Sequence, residues 1–228
     1  MRRILLFLGL LLLTACTTSG DVNPFFIKTT DDVKISANFF PAESTKGVIL
    51  LHMLNKGKND WNEFAPELTS NGFNVIAIDL RGHGMSDLNW KQFSEVEFSR
   101  SVLDVEVAMS YLQEKGVTDV GIIGASIGAN IALKYAVQDK DVKSIILLSP
   151  SLDYKSVETL ENVRTYDRAI FIVTSKEDTQ SADDSLILHE TATGKKKFML
   201  YENAGHGTNM FVEDTLSELI LSWLKETV

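Results

Sequence analysis

The sequence predicts an α/β protein in which a mostly parallel sheet carries helices on both faces. Short aliphatic runs such as residues 47–51 and 120–123 are typical of strands buried on both faces of a sheet. Between these runs lie longer stretches whose apolar residues recur every three to four positions, the spacing of an amphipathic helix. The two patterns alternate over about 205 residues, a length that suits one domain with a sizeable core.

The elements follow one another in a regular order from residue 24. Two opening strands at residues 25–29 and 33–40 flank a short polar turn. In the second strand apolar and polar residues alternate, as expected for a half-exposed hairpin at the edge of a sheet. Further strands are expected at residues 47–51, 73–78, 120–123, 142–148, 169–173 and 197–201. Helices are expected at residues 61–68, 102–112, 129–136, 181–192 and 216–224. Sites in such sheets form at the carboxyl ends of the strands, so functional residues are expected there.

The first residues are predicted to be a targeting segment that lies outside the fold. Arg2 and Arg3 precede an apolar run at residues 4–13 that is too short to span a bilayer, as in a secretory signal peptide. The stretch Leu13-Thr14-Ala15-Cys16 resembles the lipobox of bacterial lipoproteins, which implies cleavage before Cys16 and a lipid on that residue. An ordinary signal peptide with a stray cysteine is the alternative.

The predicted organisation has three parts. Residues 1–15 form the signal peptide, residues 16–23 the lipidated N-terminus and its tether, and residues 24–228 the folded domain. The lipoprotein resemblance implies the bacterial cell envelope, with a membrane as partner through the lipid on Cys16. Because Thr17 stands where an Asp would retain the protein in the inner membrane, the resemblance implies the outer membrane if the host has one, and otherwise the cell membrane.

Composition narrows the classes of partner and cofactor. The formal net charge is −9 and becomes more negative when Arg2 and Arg3 are removed, which disfavours nucleic acid as a partner. Cys16 is the only cysteine in the sequence, so no intrachain disulfide can form. The sequence contains no metal-ligand cluster and no Gly-rich phosphate loop, so no cofactor and no metal are expected.

A Gly-x-Ser-x-Gly motif is the strongest functional signal in the chain. Gly124-Ala125-Ser126-Ile127-Gly128 lies between a predicted buried strand and a predicted helix, the context that a nucleophile elbow requires. A sharp turn would expose the Ser126 hydroxyl, and the N–H groups at the helix start favour an oxyanion. A glycine-rich turn with an incidental serine is the alternative interpretation.

A serine nucleophile needs a base and a carboxylate that orients it. His206 lies in a glycine-flanked loop after the last predicted strand, and Asp178 follows the strand at residues 169–173. The order Ser126, Asp178, His206 is the order that the motif predicts. Glu177 is a less favoured neighbour of Asp178, and Asp153 is the second choice for the acid.

The other three histidines have structural interpretations. His52 ends a buried strand and is expected to hydrogen-bond its own loop. His83 is expected to be a turn residue and His189 a surface residue on a helix.

The chain resembles the α/β-hydrolase family over its whole length from residue 25. Five landmarks match in order, namely Leu50-Leu51-His52, Asp79-Leu80-Arg81-Gly82-His83-Gly84-Met85-Ser86, the elbow, Asp178 and Gly205-His206-Gly207. The resemblance implies an eight-stranded, mostly parallel sheet and a Ser–His–Asp triad. It also implies an oxyanion hole built from the backbone N–H groups of Met53 and Ile127. Family members often carry glycine where Met53 stands, so Met53 and Leu54 are expected to narrow the acyl side of the pocket.

Two further features bear on the substrate. Only about twenty residues separate the strands at 142–148 and 169–173, enough for a short helix near residues 156–163 and too few for a large cap. An open site is therefore expected. Lys56 and Lys58 lie on the loop beside the predicted oxyanion hole, where they could favour an anionic substrate, but a solvated surface loop is the favoured interpretation.

The sequence thus predicts a serine hydrolase that cleaves carboxylic esters or thioesters through an acyl-enzyme. Its substrate partner would be a small-molecule ester or acyl compound. A small serine peptidase or an acyltransferase with the same triad is the first alternative. A non-catalytic surface binding protein on a hydrolase scaffold is the second.

Overall fold

The computed structural model describes residues 24–228. The predicted signal peptide at residues 1–15 and the segment at residues 16–23 with Cys16 lie outside the described residues. The main sheet has eight strands: β1 (Phe25–Lys28), β2 (Lys34–Phe40), β3 (Lys46–Leu51), β4 (Asn74–Ile78), β5 (Asp119–Ala125), β6 (Val142–Leu148), β9 (Ala169–Ser175) and β10 (Lys196–Tyr201). A separate two-stranded hairpin consists of β7 (Asp153–Tyr154) and β8 (Val157–Glu158).

The strand order in the main sheet is β1-β2-β4-β3-β5-β6-β9-β10. Pairing is parallel from β4 to β10, while β2 runs antiparallel to both of its neighbours. The eight-stranded, mostly parallel sheet is therefore confirmed. The strand β5 lies near the middle of the order, so its carboxyl end is flanked by the ends of β3 and β6.

Seven helices are described, and they pack on both faces of the sheet. They are α1 (Phe64–Ser70), α2 (Glu95–Ser99), α3 (Val102–Glu114), α4 (Ile127–Ala136), α5 (Leu160–Thr165), α6 (Thr179–Thr191) and α7 (Thr215–Thr227). Side chains of α3 and α4 pack in the core on one face, and those of α1 and α7 pack in the core on the other. None of the helices between residues 24 and 228 is long and apolar enough to cross a membrane.

The helix expected at residues 61–68 is broken in the structure. Trp61 is fully buried but belongs to a separate 3₁₀ turn at Lys58–Trp61, and α1 begins only at Phe64. Pro66 explains the break, because it has no N–H to bond the carbonyl of residue 62 and is tolerated only in the first turn of a helix.

The connection between β6 and β9 also differs from the expected short helix at residues 156–163. The hairpin β7–β8 comes first, and α5 follows at residues 160–165. Lys155 and Ser156 at the hairpin tip have φ of 56° and 61°, the left-handed conformations of a tight two-residue hairpin turn. The short helix α2 is not among the predicted elements, and it begins with a capping box between Ser94 and Glu97.

His52 ties the end of β3 to the end of β4. The Leu80 N–H donates to His52 Nε2 at 3.0 Å, so Nε2 carries no proton. Nδ1 therefore carries the proton and donates to the Met53 carbonyl at 2.7 Å. The structural role predicted for His52 is confirmed, and it extends from its own loop to β4.

Burial lowers the pKa of His52 from 6.5 to about 4, although its hydrogen bond to Met53 acts in the opposite direction. The folded chain thus holds a neutral imidazole that the unfolded chain would protonate below pH 6.5. His52 therefore contributes stability that is fully present above pH 6.5 and is lost as the pH falls toward 4.

We expect this titration to appear as a pH-dependent difference between the wild type and His52→Gln. From pH 7.5 to pH 4.5 the free energy of unfolding of the wild type should fall by about 2.5 kcal/mol more than that of the variant. Urea unfolding of both proteins at matched pH measures this difference, in which the titration of other groups cancels. A difference that stays constant with pH would contradict the neutral, buried state of His52.

Candidate active site

Ser126 occupies a strained turn between β5 and α4. Its φ of 53° and ψ of −119° lie in a region that non-glycine residues rarely adopt, at a cost on the order of 1–3 kcal/mol. The Ser126 N–H donates to the Leu148 carbonyl at 2.8 Å, which fixes the turn to the neighbouring strand β6. The side chain of Ser126 is partly exposed at the carboxyl edge of the sheet.

The two glycines of the motif are required by close backbone contacts. A Cβ atom on Gly124 would overlap the carbonyl group of Gly128. A Cβ atom on Gly128 would lie 2.7 Å from the carbonyl oxygens of both Leu51 and His52. Close backbone contacts therefore surround Ser126, and they join β5, the start of α4 and the end of β3.

Asp178 and His206 are joined by a hydrogen bond. Asp178 follows β9 and precedes α6, and its Oδ2 atom lies 2.5 Å from His206 Nδ1. The Asp178 side chain is 19% exposed and that of His206 is 39% exposed, so the imidazole remains open to solvent. Because a carboxylate only accepts, Nδ1 carries the proton in the neutral imidazole and Nε2 is free to accept one.

Side chains from other strands hold the loop that carries His206. The Ala204 N–H donates to Ser175 Oγ at 2.8 Å, and the Gly207 N–H donates to Ser149 Oγ at 3.0 Å. The Gly205 N–H donates to the Glu177 carboxylate. Glu177 therefore supports the backbone of the loop.

Asp153, the second choice for the acid, is exposed on the hairpin strand β7. Among the described residues it makes no hydrogen bond to His206, whereas Asp178 does.

The loop of His206 lies against the elbow. A Cβ on Gly207 would be 3.4 Å from Ala125 Cβ and 2.9 Å from Met53 Sδ, so the residue after His206 contacts the residue before Ser126. Within residues 24–228 no hydrogen bond joins the Ser126 hydroxyl to His206. The structure thus brings His206 and Asp178 into direct contact and places Ser126 beside their loop.

Two backbone N–H groups lie in the turns that follow β3 and β5. Across residues 24–228, the N–H groups of Met53 and Ile127 make no hydrogen bond to backbone or side chain. The Met53 side chain is only 6% exposed and packs against Gly207, while Leu54 is partly exposed. Of the two side chains expected to narrow the pocket, Met53 is thus withdrawn into the core and Leu54 has the larger exposed fraction.

The expectation that Lys58 lies on a solvated surface loop is wrong. Its side chain is 5% exposed, and Nζ lies 2.6 Å from Asp79 Oδ2. Lys56, two residues earlier, is 47% exposed and lies 3.8 Å from Asp60. Because the Lys58 ammonium is buried and paired, it is not available to bind an anionic substrate.

Between residues 24 and 228, neither of the two remaining histidines makes a hydrogen bond to Asp178 or His206. His83 lies in the turn after β4, as expected, and it is buried with its ring stacked on Trp90 at a centroid distance of 5.6 Å. His189 is not a simple surface residue, because its ring packs on Phe198 at 5.2 Å and burial lowers its pKa. No group of three or more His, Cys, Asp or Glu side chains between residues 24 and 228 is arranged to hold a metal ion.

Two supports of this edge were not predicted from the sequence. Ser149 is buried, has a φ of 50° and anchors the loop of His206. The Lys58–Asp79 pair anchors the loop after β3. Ser149 and Asp79 are polar residues directly after buried strands, and that position was the available signal for both of them.

Comparison with known proteins identifies the family. A family model described as the alpha/beta hydrolase fold matches residues 47–171, which is more than half of the chain. A structure of an esterase from Pyrococcus furiosus superimposes with a TM-score of 0.76 at 20% identity, covering 90% of this chain and 92% of that one. At this identity the superposition shows the shared fold alone.

Two curated relatives match part of the chain. An uncharacterised protein from Mycobacterium tuberculosis is 32% identical over 109 residues, 47% of this chain and 30% of the relative. An acyl transferase from Photobacterium leiognathi is 34% identical over 104 residues, 45% of this chain and 31% of the relative. The matches thus span about a third of the length of these relatives. With more than half of its residues matched by the family model, and with the sheet and elbow described above, the chain belongs to the α/β-hydrolase family.

Proposed function

We propose that the protein is a serine hydrolase that cleaves carboxylic esters or thioesters through an acyl-enzyme. The observation that carries this proposal is the hydrogen bond between His206 and Asp178 in a loop packed against the strained turn of Ser126. A nucleophile, a base and an orienting carboxylate on one sheet edge are the parts that acyl transfer requires.

In the proposed mechanism His206 acts as the general base. Its Nδ1–H is engaged by Asp178, so Nε2 is available to take the proton of the Ser126 hydroxyl as its oxygen attacks the substrate carbonyl. Asp178 would hold this tautomer and stabilise the imidazolium. The proton would then pass from Nε2 to the leaving alcohol or thiol, leaving an acyl group on Ser126.

The tetrahedral intermediate would place its oxyanion between the N–H groups of Ile127 and Met53. Both groups lack a recorded partner among residues 24–228, and Ile127 begins α4, where the helix dipole favours negative charge. Each such donor contributes on the order of 3 kcal/mol to catalysis in enzymes of this kind.

Water would release the acyl group in the second half of the reaction. The connection between β6 and β9 holds only the small hairpin and α5, and the His206 side chain is 39% exposed, so water can reach the site. Acyl transfer to an alcohol or amine is the second candidate, favoured by the match to an acyl transferase over 45% of this chain.

Ser126→Ala should lower kcat for a short-chain p-nitrophenyl ester by about 10⁴-fold or more, because the nucleophile is lost. In residues 17–228 of the wild type, a fluorophosphonate probe should form one adduct, on Ser126, detectable by mass spectrometry. Ser110→Ala, an exposed serine on α3, is the control and should retain labelling and turnover. Turnover that survives Ser126→Ala in a correctly folded protein would refute the mechanism.

Asp178→Asn should lower kcat by about 10⁴-fold with little change in KM, because an amide favours the wrong tautomer of His206. The matched control is Asp153→Asn, which removes an exposed carboxylate on the hairpin and should leave kcat within about twofold. Steady-state kinetics on both variants measures the contrast. If only Asp153→Asn were inactive, Asp153 on the hairpin and not Asp178 would be the carboxylate that orients His206.

We also propose that Cys16 carries a lipid that attaches the protein to a membrane of the bacterial cell envelope. The support is the lipobox-like stretch 13–16 behind a short apolar run, with Cys16 as the only cysteine. The proposed site is the outer membrane where the host has one, since Thr17 follows the cysteine.

Cys16→Ser should abolish incorporation of a clickable palmitate analogue and move the protein from the membrane fraction to the soluble fraction. Thr17→Asp is the matched control, because it should keep the label and, in a host with two membranes, shift the protein to the inner one. Metabolic labelling and sucrose-gradient fractionation measure both. Unchanged membrane association of Cys16→Ser would contradict lipid anchoring.

A further inference from the structure

A buried ion pair lies directly behind the loop that follows β3. The Lys58 side chain is 5% exposed and that of Asp79 is 3% exposed, with Nζ and Oδ2 at 2.6 Å. Removing two charges from water carries a desolvation cost that the attraction between them does not reliably offset. A gain in folding stability therefore does not explain why this ion pair is present. The two loops that the pair joins suggest another role.

The Asp79 carboxylate joins two loops of the catalytic edge. Its Oδ1 accepts the Lys58 N–H at 2.7 Å, and its Oδ2 accepts both the Lys58 ammonium at 2.6 Å and the Met85 N–H at 3.0 Å. A Cβ on Gly57 would lie 2.7 Å from Oδ1, and one on Gly84 would overlap the carboxylate. The glycines on both sides thus leave room for a single carboxylate that binds both loops.

The Asp79 side of this contact is fixed to the sheet. The Asp79 N–H donates to the Ser36 carbonyl at 2.9 Å, and the Asp79 carbonyl accepts the Ser86 hydroxyl at 2.6 Å. The Ser36 N–H in turn donates to Ser86 Oγ at 2.9 Å. Asp79 is therefore held by β2 as well as by its own strand, β4.

The other side of the contact carries Met53. The Met53 carbonyl accepts from His52 Nδ1 at 2.7 Å and from the Lys56 N–H at 3.2 Å. Asn55, with a φ of 65°, completes this tight turn. The turn is thus held at its start through His52 and Leu80 and at its end through Lys58 and Asp79.

We propose that Lys58 and Asp79 are positioning residues for the oxyanion hole. Their buried ion pair holds the loop after β3 against the end of β4, so that the Met53 N–H stays directed at the place where the oxyanion forms. The proposal rests on the proposed function, since it assumes a tetrahedral intermediate on Ser126. Neither side chain touches the substrate, because the Lys58 ammonium is occupied and enclosed.

This role predicts an effect on the transition state. A donor displaced by about 1 Å can cost on the order of a hundredfold in rate while leaving ground-state binding intact. Lys58→Met should therefore lower kcat for a p-nitrophenyl ester by about 10- to 100-fold and leave KM within about twofold. Affinity for a trifluoromethyl ketone, which forms a tetrahedral adduct on serine, should fall in parallel with kcat.

Lys56→Met is the matched control. It removes the same charge and the same side chain two positions earlier on this loop, where the lysine is 47% exposed. Its kcat and its affinity for the ketone should equal those of the wild type, which excludes a general effect of lysine charge near the site.

A second variant separates positioning from the cost of an unpaired charge. Lys58→Met alone leaves the Asp79 carboxylate buried without its cation, which destabilises the fold. Combining Lys58→Met with Asp79→Asn removes both charges and keeps one oxygen that can accept the backbone N–H of residue 58. This double variant should recover thermal stability relative to Lys58→Met, while its kcat and ketone affinity stay low.

The outcomes separate the two proposals. If the wild type fails to react with a fluorophosphonate, the proposed function fails, whatever the lysine variants do. If the wild type reacts, and a folded Lys58→Met or double variant keeps wild-type kcat and ketone affinity, the positioning role is overturned alone. If neither variant folds, the pair is required by the fold as a whole, and that result also overturns the proposal.

Discussion

The close backbone contact around Ser126 is the constraint on which the rest of the candidate site depends. Gly128 at the start of α4 touches the carbonyls of Leu51 and His52, so α4 can cross the sheet only where β3 has ended. The same contact brings the N-terminus of α4 and the turn after β3 side by side. The turn of Ser126 and the N–H groups of Ile127 and Met53, which have no hydrogen-bond partner among residues 24–228, thus depend on one crossing, because a larger residue at Gly124 or Gly128 would separate the two backbone segments.

The candidate base His206 lies on a loop beside this crossing, and polar side chains hold that loop in place. Apolar packing cannot hold a loop by itself, because its backbone N–H groups need acceptors when they are enclosed. In the His206 loop these acceptors are Ser175, Glu177 and Ser149, which follow or end neighbouring strands. The His206 side chain itself is 39% exposed, so these hydrogen bonds hold the loop backbone while the imidazole stays accessible to solvent.

The sequence predicts the sheet, the elbow and the Asp178–His206 contact because each depends on a local pattern or on strand order. Lys58 shows what it cannot predict, since a lysine in a polar loop looks solvated until Asp79, 21 residues away, is placed beside it. Trp61 falls within the helix predicted at residues 61–68 but lies in a separate 3₁₀ turn, because Pro66 decides where α1 can begin. Glu177 and Asp178 are adjacent, and the sequence favours Asp178 as the partner of His206. It does not predict that Glu177 accepts the Gly205 N–H, because that contact depends on the loop geometry.

Two buried carboxylates, Asp79 directly after β4 and Asp104 on α3, have the same role. Asp79 accepts the backbone N–H groups of Lys58 and Met85, and Asp104 accepts the backbone N–H of Arg81 at 2.8 Å together with its Nε at 2.9 Å. Each carboxylate therefore satisfies loop backbone that the sheet cannot pair, and the nearby cation balances its charge. An apolar pair of the same volume would remove the desolvation cost and would also leave those N–H groups without acceptors. The charged groups persist here because the backbone N–H groups after β4 need acceptors, and Asp104 supplies one from α3 although it is fully buried in the helix–sheet core.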